Sequence, residues 1–339
     1  MELTTYQYQG YRTFERTVWK KRAFILLLGV LSFLAVLLSL KIGHFGESFR
    51  DILASPMERK VFFLLRLPRV TIGILVGAGL AVSGAVAQAI LRNPLASPFT
   101  LGISSGAAFG AALTIFFGVL SLWWMATSAF LFAAITSGGI LALAKFKNSK
   151  PETMILGGVA IMFLFAAATS LLQYLATENQ VQAIVFWGFG NLGRVGWHEV
   201  MVAAFMILVP LPFAIKLSWD LNTLALGEDS AASLGANVTR LRYTGVVIMS
   251  LMAAGSICFT GLIGFVGLVS PHITRMCLGT DHRFLIPGSA LFGVTLVTLS
   301  DTLARSIIAP QILPIGIITS FLGVPFFFWL LLKSRGGNF

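Results

Sequence analysis

The sequence predicts an all-α polytopic membrane protein with about ten transmembrane helices in two inverted five-helix halves. Of its 339 residues, 57% are hydrophobic and only 11% are charged, and the mean hydropathy is +0.88. Soluble domains carry about 25% charged residues, so this chain could not cover its surface for water. The apolar residues fall into runs of about 20, which is the length that crosses a bilayer as a helix. The composition excludes an ordinary soluble enzyme and a disordered chain.

The N-terminal segment, residues 1–22, is polar and basic, and an apolar run begins at Ala23. A cleaved signal peptide has a shorter apolar core and a cleavage site between small residues. We therefore predict a cytoplasmic leader over residues 1–22 and a retained first span over residues 23–42. A single transmembrane domain is expected to fill residues 23–335.

Eight further runs are long enough to span a membrane. They lie at residues 70–91, 99–120, 122–144, 153–176, 199–217, 241–264, 284–304 and 312–332. Residues 265–279 are also apolar, but Pro271 interrupts them, so a half-helix is expected there. Ten segments place both termini on one side of the membrane. The loops on that side hold about twice as many Lys and Arg residues as the other loops, which assigns the termini to the cytoplasm. The outer loop after the first span is nevertheless unusually basic.

A weak internal similarity predicts the two halves. Gly84 precedes Pro94 by ten residues, and Gly261 precedes Pro271 by the same spacing. A repeat at this offset gives each half five helices, and an odd number of helices inverts the second half, as is common among transporters.

The polar residues of the sequence disfavour both an enzyme and an ion-coupled transporter. Asp301 and Arg305 are four residues apart, which predicts an ion pair on one helix face. Proton-coupled transporters need carboxylates in the middle of their spans, and the sequence shows no such chain. Cys258 and Cys277 lack the spacing of a metal site or a disulfide framework. The sequence has no GxxxxGK[ST] phosphate loop, so no catalytic residue, metal site or cofactor is predicted. Its Lys and Arg residues are scattered between spans, which disfavours a nucleic-acid partner.

Three segments resemble the FecCD family of ABC-importer permeases over about residues 60–335. The first runs from Arg66-Leu67-Pro68-Arg69 to Arg92-Asn93-Pro94-Leu95, the second is Leu226-Gly227-Glu228-Asp229-Ser230-Ala231-Ala232-Ser233-Leu234-Gly235, and the third runs from Gly264-Phe265-Val266-Gly267 through Pro271-His272 and Asp281-His282-Arg283 to Leu322-Gly323-Val324-Pro325.

The resemblance implies a type II importer that takes up iron(III)-siderophores, haem or cobalamin through a bacterial cytoplasmic membrane. ATP hydrolysis is then expected on partner ATPase subunits, and the cargo is expected from an extracytoplasmic binding protein. A second permease subunit, identical or related, and membrane lipid complete the expected partners. Iron-siderophore is the commonest cargo of the family and is the one expected here; haem, cobalamin and molybdate remain alternatives. An ion-coupled secondary transporter is the competing class.

The second of these segments is predicted to form a short amphipathic helix on the cytoplasmic face. It begins with acidic residues, continues with small ones and ends at a glycine, which are helix start and stop signals. The resemblance implies that such a helix inserts into a groove of the ATPase. The candidate contact residues are Gly227, Glu228, Ala231, Leu234 and Gly235; an ordinary surface turn is the alternative.

The other candidate residues lie at the outer and inner ends of spans. The resemblance implies that Arg66, Arg69 and Arg305 pair with glutamates of the binding protein, whereas anchoring at lipid headgroups is the alternative. Pro94 ends a helix and favours extended geometry before it. The resemblance makes Asn93 and Leu95 part of an inner gate, against a plain helix-ending turn.

Two further features carry weaker expectations. A second gate segment would fall near residues 150–153, where the sequence matches the family poorly. His272 and His282 each lie close to an arginine and are expected to be structural rather than metal ligands.

Overall fold

The structure is a computed structural model that describes residues 2–42, 55–146 and 150–333, with side chains from residue 18 onward. These residues form fifteen α-helices and one π-helical segment, and no strand occurs among them. The elements are α1 Glu2–Lys41, α2 Pro56–Val61, the π-helical segment Phe62–Arg66, α3 Leu67–Ile90, α4 Ile103–Phe116, α5 Leu122–Phe146, α6 Pro151–Leu175, α7 Glu178–Gly188, α8 Trp197–Leu208, α9 Pro210–Lys216, α10 Ser218–Ala225, α11 Glu228–Ser233, α12 Val238–Ile257, α13 Val266–Leu278, α14 His282–Ser306 and α15 Ile315–Lys333.

The predicted fold class is confirmed. In the described part of the chain, six helical stretches are long and apolar enough to cross a membrane: Val18–Lys41, Pro56–Ile90, Leu122–Phe146, Pro151–Leu175, Trp197–Lys216 and His282–Ser306. The shorter apolar helices α4 and α15, together with α12 and the half-helix α13, correspond to the remaining predicted segments. Pro271 lies inside α13.

The centre of the bundle is α3, which packs against α12, α13 and α14. Small residues on α3 allow its backbone to touch its neighbours, because a Cβ at Gly84 would overlap the carbonyl of Gly267 on α13. Gly77 and Gly293 make the equivalent contact between α3 and α14. Helices in lipid cohere through such close packing, since burial of apolar surface drives little association there.

Two long helices lie at the periphery. The helix α1 packs along α14, and the hydroxyl of Ser32 bonds the carbonyl oxygen of Leu291 at 2.8 Å. The helix α6 packs mainly on α4 and α5; only Met154 and Gly158 of its residues are buried, and Phe163 and Leu164 are among those exposed. The central helices therefore form the rigid part of the molecule, while α6 offers an uncovered apolar face.

Several local features differ from the sequence expectation. The helix α1 continues without a break through the leader, so the boundary at residue 22 is not a helix end. The run 99–120 yields a shorter helix, since Gly102 has a left-handed φ of 76° and the chain before it forms turns. The helices α7 and α10 were not expected. A capping box of Thr177 and Gln180 marks the start of α7, and this spacing is readable in the sequence.

The two glycines used to predict the internal repeat do not occupy equivalent positions in their helices. Gly84 lies inside α3, whereas Gly261 lies beyond the last residue of α12. Residues 150–153 are the start of α6, with Pro151 in its first turn, where a missing backbone N–H costs nothing.

Candidate functional site

The segment for which the sequence predicts a short helix forms the helix α11, near the C-terminal end of α3. Two glycines delimit it: Gly227 precedes it with a φ of 118°, and Gly235 follows it with a φ of 86°. Residues with a Cβ rarely adopt such positive angles, so both ends of the helix depend on glycine. The six-residue helix Glu228–Ser233 therefore stands between two sharp changes of chain direction.

The two faces of α11 differ in exposure. Ala231 is fully buried and seats the helix against the protein. Leu234, at the C-terminal cap, has 65% of its surface exposed, and Gly235 is exposed as well. Of the predicted contact residues, Leu234, Gly235 and part of Glu228 and Gly227 are thus open to a partner, whereas Ala231 is not.

Arg242 of α12 holds the first residue of α11. Its guanidinium Nη2 lies 2.6 Å from Oε1 of Glu228, and Nη1 lies 3.3 Å from Oε2. Its Nε donates to the carbonyl oxygen of Ile90, the last residue of α3, at 3.2 Å. The hydrogen bond from Arg242 lowers the pKa of Glu228 below its ordinary value, and partial burial opposes this only in part.

Sequence reasoning counted Arg242 only as one of the inner positive charges. No local signal marks Arg242 in the sequence, because its partners belong to α11 and α3.

The helix α10 is attached to the start of α14. The amide of Asn222 donates to Oδ1 of Asp281 at 2.8 Å and accepts from the backbone N–H of His282 at 2.8 Å. Partial burial raises the pKa of Asp281, but the hydrogen bonds from Arg283 and Asn222 outweigh it and lower that pKa to about 2. His282 Nδ1 also lies 2.9 Å from Oδ1 of Asn222. Within the described ranges, no cluster of three or more His, Cys, Asp or Glu residues could hold a metal ion.

The segment after α3 forms turns. Arg92 has a left-handed φ of 48°, and Oδ1 of Asn93 accepts the backbone N–H of Leu95 at 2.9 Å. The side chain of Asn93 thus closes a turn. Leu95 is 38% exposed and borders a small apolar recess together with His272 and Phe326.

A larger cavity of about 760 Å³ lies beyond this segment, between residues 97–100, α13 and α15. Its wall is apolar, with Phe189, Phe265 and Ile317 among its residues and the hydroxyl residues Ser97, Thr100 and Ser320 as polar exceptions. None of the residues that line it is charged. Such a wall offers no charged group to a molecule in the cavity.

The three predicted arginines lie together near the C-terminal end of α1, and their guanidinium groups bind other groups of this chain. Asp301 receives Nη2 of Arg69 at 2.8 Å and Nε of Arg305 at 3.1 Å. The predicted pair of Asp301 and Arg305 is confirmed, and Arg69 shares the carboxylate. Arg66 is 9% exposed and Arg305 is 7% exposed, so both are buried.

Arg66 and Arg305 also bind the C-terminal end of α1. Arg66 donates to the carbonyl oxygen of Leu40 at 3.1 Å. Arg305 donates to the carbonyl oxygens of Ile42 at 2.6 Å and Ser39 at 3.1 Å. The last carbonyls of a helix lack intrahelical partners, so these cations satisfy them. The exposed cations at this end of the described chain are instead Lys41, Arg59, Lys60 and Arg194, while residues 43–54 of the basic loop after the first span lie outside the described residues.

Comparisons with known proteins agree with this arrangement. Residues 27–333 match the FecCD transport family. An ABC transporter permease protein of Methanocaldococcus jannaschii is 45% identical over 332 residues, which cover 93% of this chain and 95% of that protein. The hemin transport system permease protein HmuU of Yersinia pestis is 37% identical over 321 residues, covering 91% and 96%. A solved structure described as an inward-facing metal-chelate type ABC transporter has a TM-score of 0.85 and 37% identity, and the match covers 92% of this chain and 99% of that one.

Proposed function

The chain belongs to the FecCD transport family of ABC-importer permeases, and we propose that it carries an iron(III)-siderophore across the cytoplasmic membrane of a bacterium. Family membership makes it a multi-pass membrane permease and not itself an enzyme, since the ATPase of such importers is a separate subunit. Importers of this family also work with a substrate-binding protein. The cargo, the orientation of the termini and the roles of single residues are our proposals.

The observation that carries the proposal is the short helix α11 on the inner side. It is bounded by glycines, it is held at Glu228 by Arg242, and it presents Leu234 to the solvent. Leu234 is 65% exposed at the end of this glycine-bounded helix, so its side chain is available for contact with a partner. We assign Glu228, Leu234 and Gly235, with the cap Gly227, to contact with the ATPase, and Ala231 to seating the helix.

In this scheme, ATP binding closes the ATPase subunits, and α11 passes the movement to the spans. The uncharged cavity of about 760 Å³ forms one wall of the passage, and a second permease subunit, identical or related, supplies the other. Access then alternates between the two faces by rigid-body movement. Asn93 keeps the inner turn closed, and Leu95 narrows the passage at its cytoplasmic end.

The cargo is proposed from its chemistry. An apolar wall suits a metal whose charge is already enclosed by an organic chelator, because a bare ion would lose its hydration shell without compensation. The similarity to a hemin permease and to a metal-chelate type transporter supports the same class. Haem, cobalamin and molybdate remain the alternative cargoes. The permease itself needs no cofactor under this proposal.

The outer arginines are proposed to receive the binding protein. Arg69 is the most accessible of the three, with 12% of its side chain exposed. Docking glutamates would then compete with Asp301 for Arg69, and with the end of α1 for Arg66 and Arg305. Such charge pairs fix the register of two surfaces and speed their encounter.

A secondary transporter driven by an ion gradient is the second candidate. It is disfavoured because Asp301 is engaged by two arginines at the outer end of α14. The other carboxylates in the described spans, Glu58, Glu152 and Glu199, all lie in the first turn of a helix.

The proposal is tested by co-purification with the ATPase subunit. The full chain should retain the ATPase on an affinity column, and deletion of residues 228–235 should abolish the capture. If the deleted chain still retains the ATPase, α11 is not the contact. Uptake assays with ferric siderophore, haem, cobalamin and molybdate in parallel then identify the cargo.

A further inference from the structure

We propose that Arg242 is the positioning residue that links α11 to the inner end of α3, so that movement of α11 reaches the gate segment directly. This inference rests on the proposed function and names the connection within it. Arg242 is not among the residues that line the cavity of about 760 Å³, and only 2% of its surface is exposed. Its role must therefore be internal.

The first step of the argument is that one guanidinium joins three elements. Arg242 belongs to α12, its two Nη atoms bind the carboxylate of Glu228 on α11, and its Nε binds the carbonyl oxygen of Ile90 on α3. The carbonyl of Ile90 lies at the helix end, where it has no intrahelical partner. Charge-assisted bidentate bonds are the strongest hydrogen bonds available to such a link.

The second step is that α12 and α3 are in rigid contact at this point. A Cβ at Gly245, one turn after Arg242, would lie 2.6 Å from Cγ2 of Ile90. The two helix ends therefore cannot slide past each other without disturbing Ile90. A displacement of Glu228 is passed to Ile90 through Arg242 rather than lost in a soft loop.

The third step is the position of Ile90 in the chain. Leu91 and Arg92 follow it, and the turn closed by Asn93 and Leu95 comes next, held by the hydrogen bond from Leu95 N–H to Asn93 Oδ1. The backbone N–H of Asn93 also bonds the carbonyl oxygen of Gln88 at 3.1 Å, within the last turn of α3. The gate segment is thus fixed to the end of α3, and it moves when that end moves.

Arginine is required for this geometry. Its planar guanidinium presents donors in several fixed directions, so it can bind a carboxylate and a carbonyl at once. Lysine keeps the positive charge but has a single ammonium, which cannot bind both oxygens of Glu228 and the oxygen of Ile90 in this arrangement. R242K therefore keeps the positive charge at residue 242 but removes the hydrogen bonds that join Glu228 to Ile90.

The test uses the full importer, reconstituted with its ATPase and its binding protein in proteoliposomes. R242K and R242Q are compared with R240Q, which removes an exposed positive charge two residues earlier on α12. Three quantities are measured: capture of the ATPase subunit, ATP hydrolysis and uptake of cargo. We expect R242K and R242Q to retain capture and hydrolysis, while uptake per ATP hydrolysed falls about tenfold. R240Q should match the wild type in all three.

E228Q supplies a second variant at the more exposed end of the link, in case R242Q does not fold. Uptake per ATP hydrolysed is again the readout, because it is independent of any weaker capture that E228Q causes. In the double variant E228Q/R242K, uptake per ATP should be no lower than in R242K alone, since both substitutions break one link.

Two results would overturn the proposal: wild-type uptake per ATP in R242K and E228Q, or loss of ATPase capture in R242K, which would mean that Arg242 only folds α11. The proposed function fails differently, because then the wild-type chain itself would show neither ATPase capture nor ATP-driven uptake.

Discussion

At the scale of single residues, an ion pair can be predicted from sequence spacing only when both of its residues lie on the same helix. The pair of Asp301 and Arg305 could be predicted because four residues separate them on one helix. Arg69 shares the same carboxylate, yet it lies on α3, and only the packing of α3 on α14 brings it there. Arg242 escaped prediction for the same reason, since its partners belong to two other helices.

Replacement of Asp301 should destabilise the end of the bundle where α3 and α14 meet the C-terminal end of α1. In D301N, the guanidiniums of Arg69 and Arg305 lose a carboxylate that is only 2% exposed. Breaking a buried ion pair from one side costs about 3 kcal/mol or more. The midpoint of thermal unfolding in detergent should fall clearly for D301N and stay unchanged for D229N, which alters an exposed carboxylate of α11. Equal midpoints for both variants would contradict this.

A methyl group at Gly84 should destabilise the contact between α3 and α13. G84A places a Cβ against the backbone of Gly267, which cannot rotate away, so α3 and α13 must separate. We expect a loss of about 3 kcal/mol or failure to fold, since overpacking a rigid contact forces backbone shifts. The matched control is G138A on α5, where a Cβ meets nothing within 4 Å. The midpoint of thermal unfolding is measured for both variants. A midpoint of G84A as high as that of G138A would show that α3 and α13 are not in contact.

At the scale of elements, the apolar runs located nearly all the spans, because a run of about 20 apolar residues forms a transmembrane helix in a bilayer. The short helix α11 was found through its glycine ends and acidic start, which are local signals. Its burial pattern was not, because whether Ala231 or Leu234 faces the protein depends on how the helix is seated. The helix α7 could have been found from its capping box.

The exposed end of α11 gives a direct prediction. L234D places a charge at a position that is 65% exposed, so the fold should persist, but insertion into an apolar groove of the ATPase should be lost. ATPase capture should fall at least about tenfold. L120D is the control, since Leu120 is 67% exposed in the loop between α4 and α5, which the proposed orientation places on the outer side. Undiminished capture by L234D would remove Leu234 from the interface.

The attachment of α10 to α14 predicts a pH dependence. The pKa of Asp281 is lowered from 3.8 to about 2 in the folded protein, so its stabilising effect is present above about pH 4 and is lost as the pH falls toward 2. Thermal unfolding midpoints of the wild type should therefore drop over this interval by more than those of D281N. Parallel curves for the two proteins would show that Asp281 does not contribute.

At the scale of the whole molecule, the fold class could be recognised from the apolar runs of the sequence. The family could be recognised because three segments of the chain resemble its motifs in the same order. The contacts of Arg66, Arg69 and Arg305 could not be predicted, because the sequence does not tell whether a cation binds a partner protein or the end of a neighbouring helix. Arg66 and Arg305 satisfy the carbonyls of α1 in this structure. Docking in which they take part therefore requires that the end of α1 be released.

The central claim is that this chain is a conduit whose movement is driven by a separate ATPase. Proteoliposomes that contain the chain with its ATPase and binding protein should accumulate ferric siderophore against a gradient when ATP is supplied, and vesicles that contain the chain alone should not. Accumulation by the chain alone, powered by an ion gradient, would contradict the account.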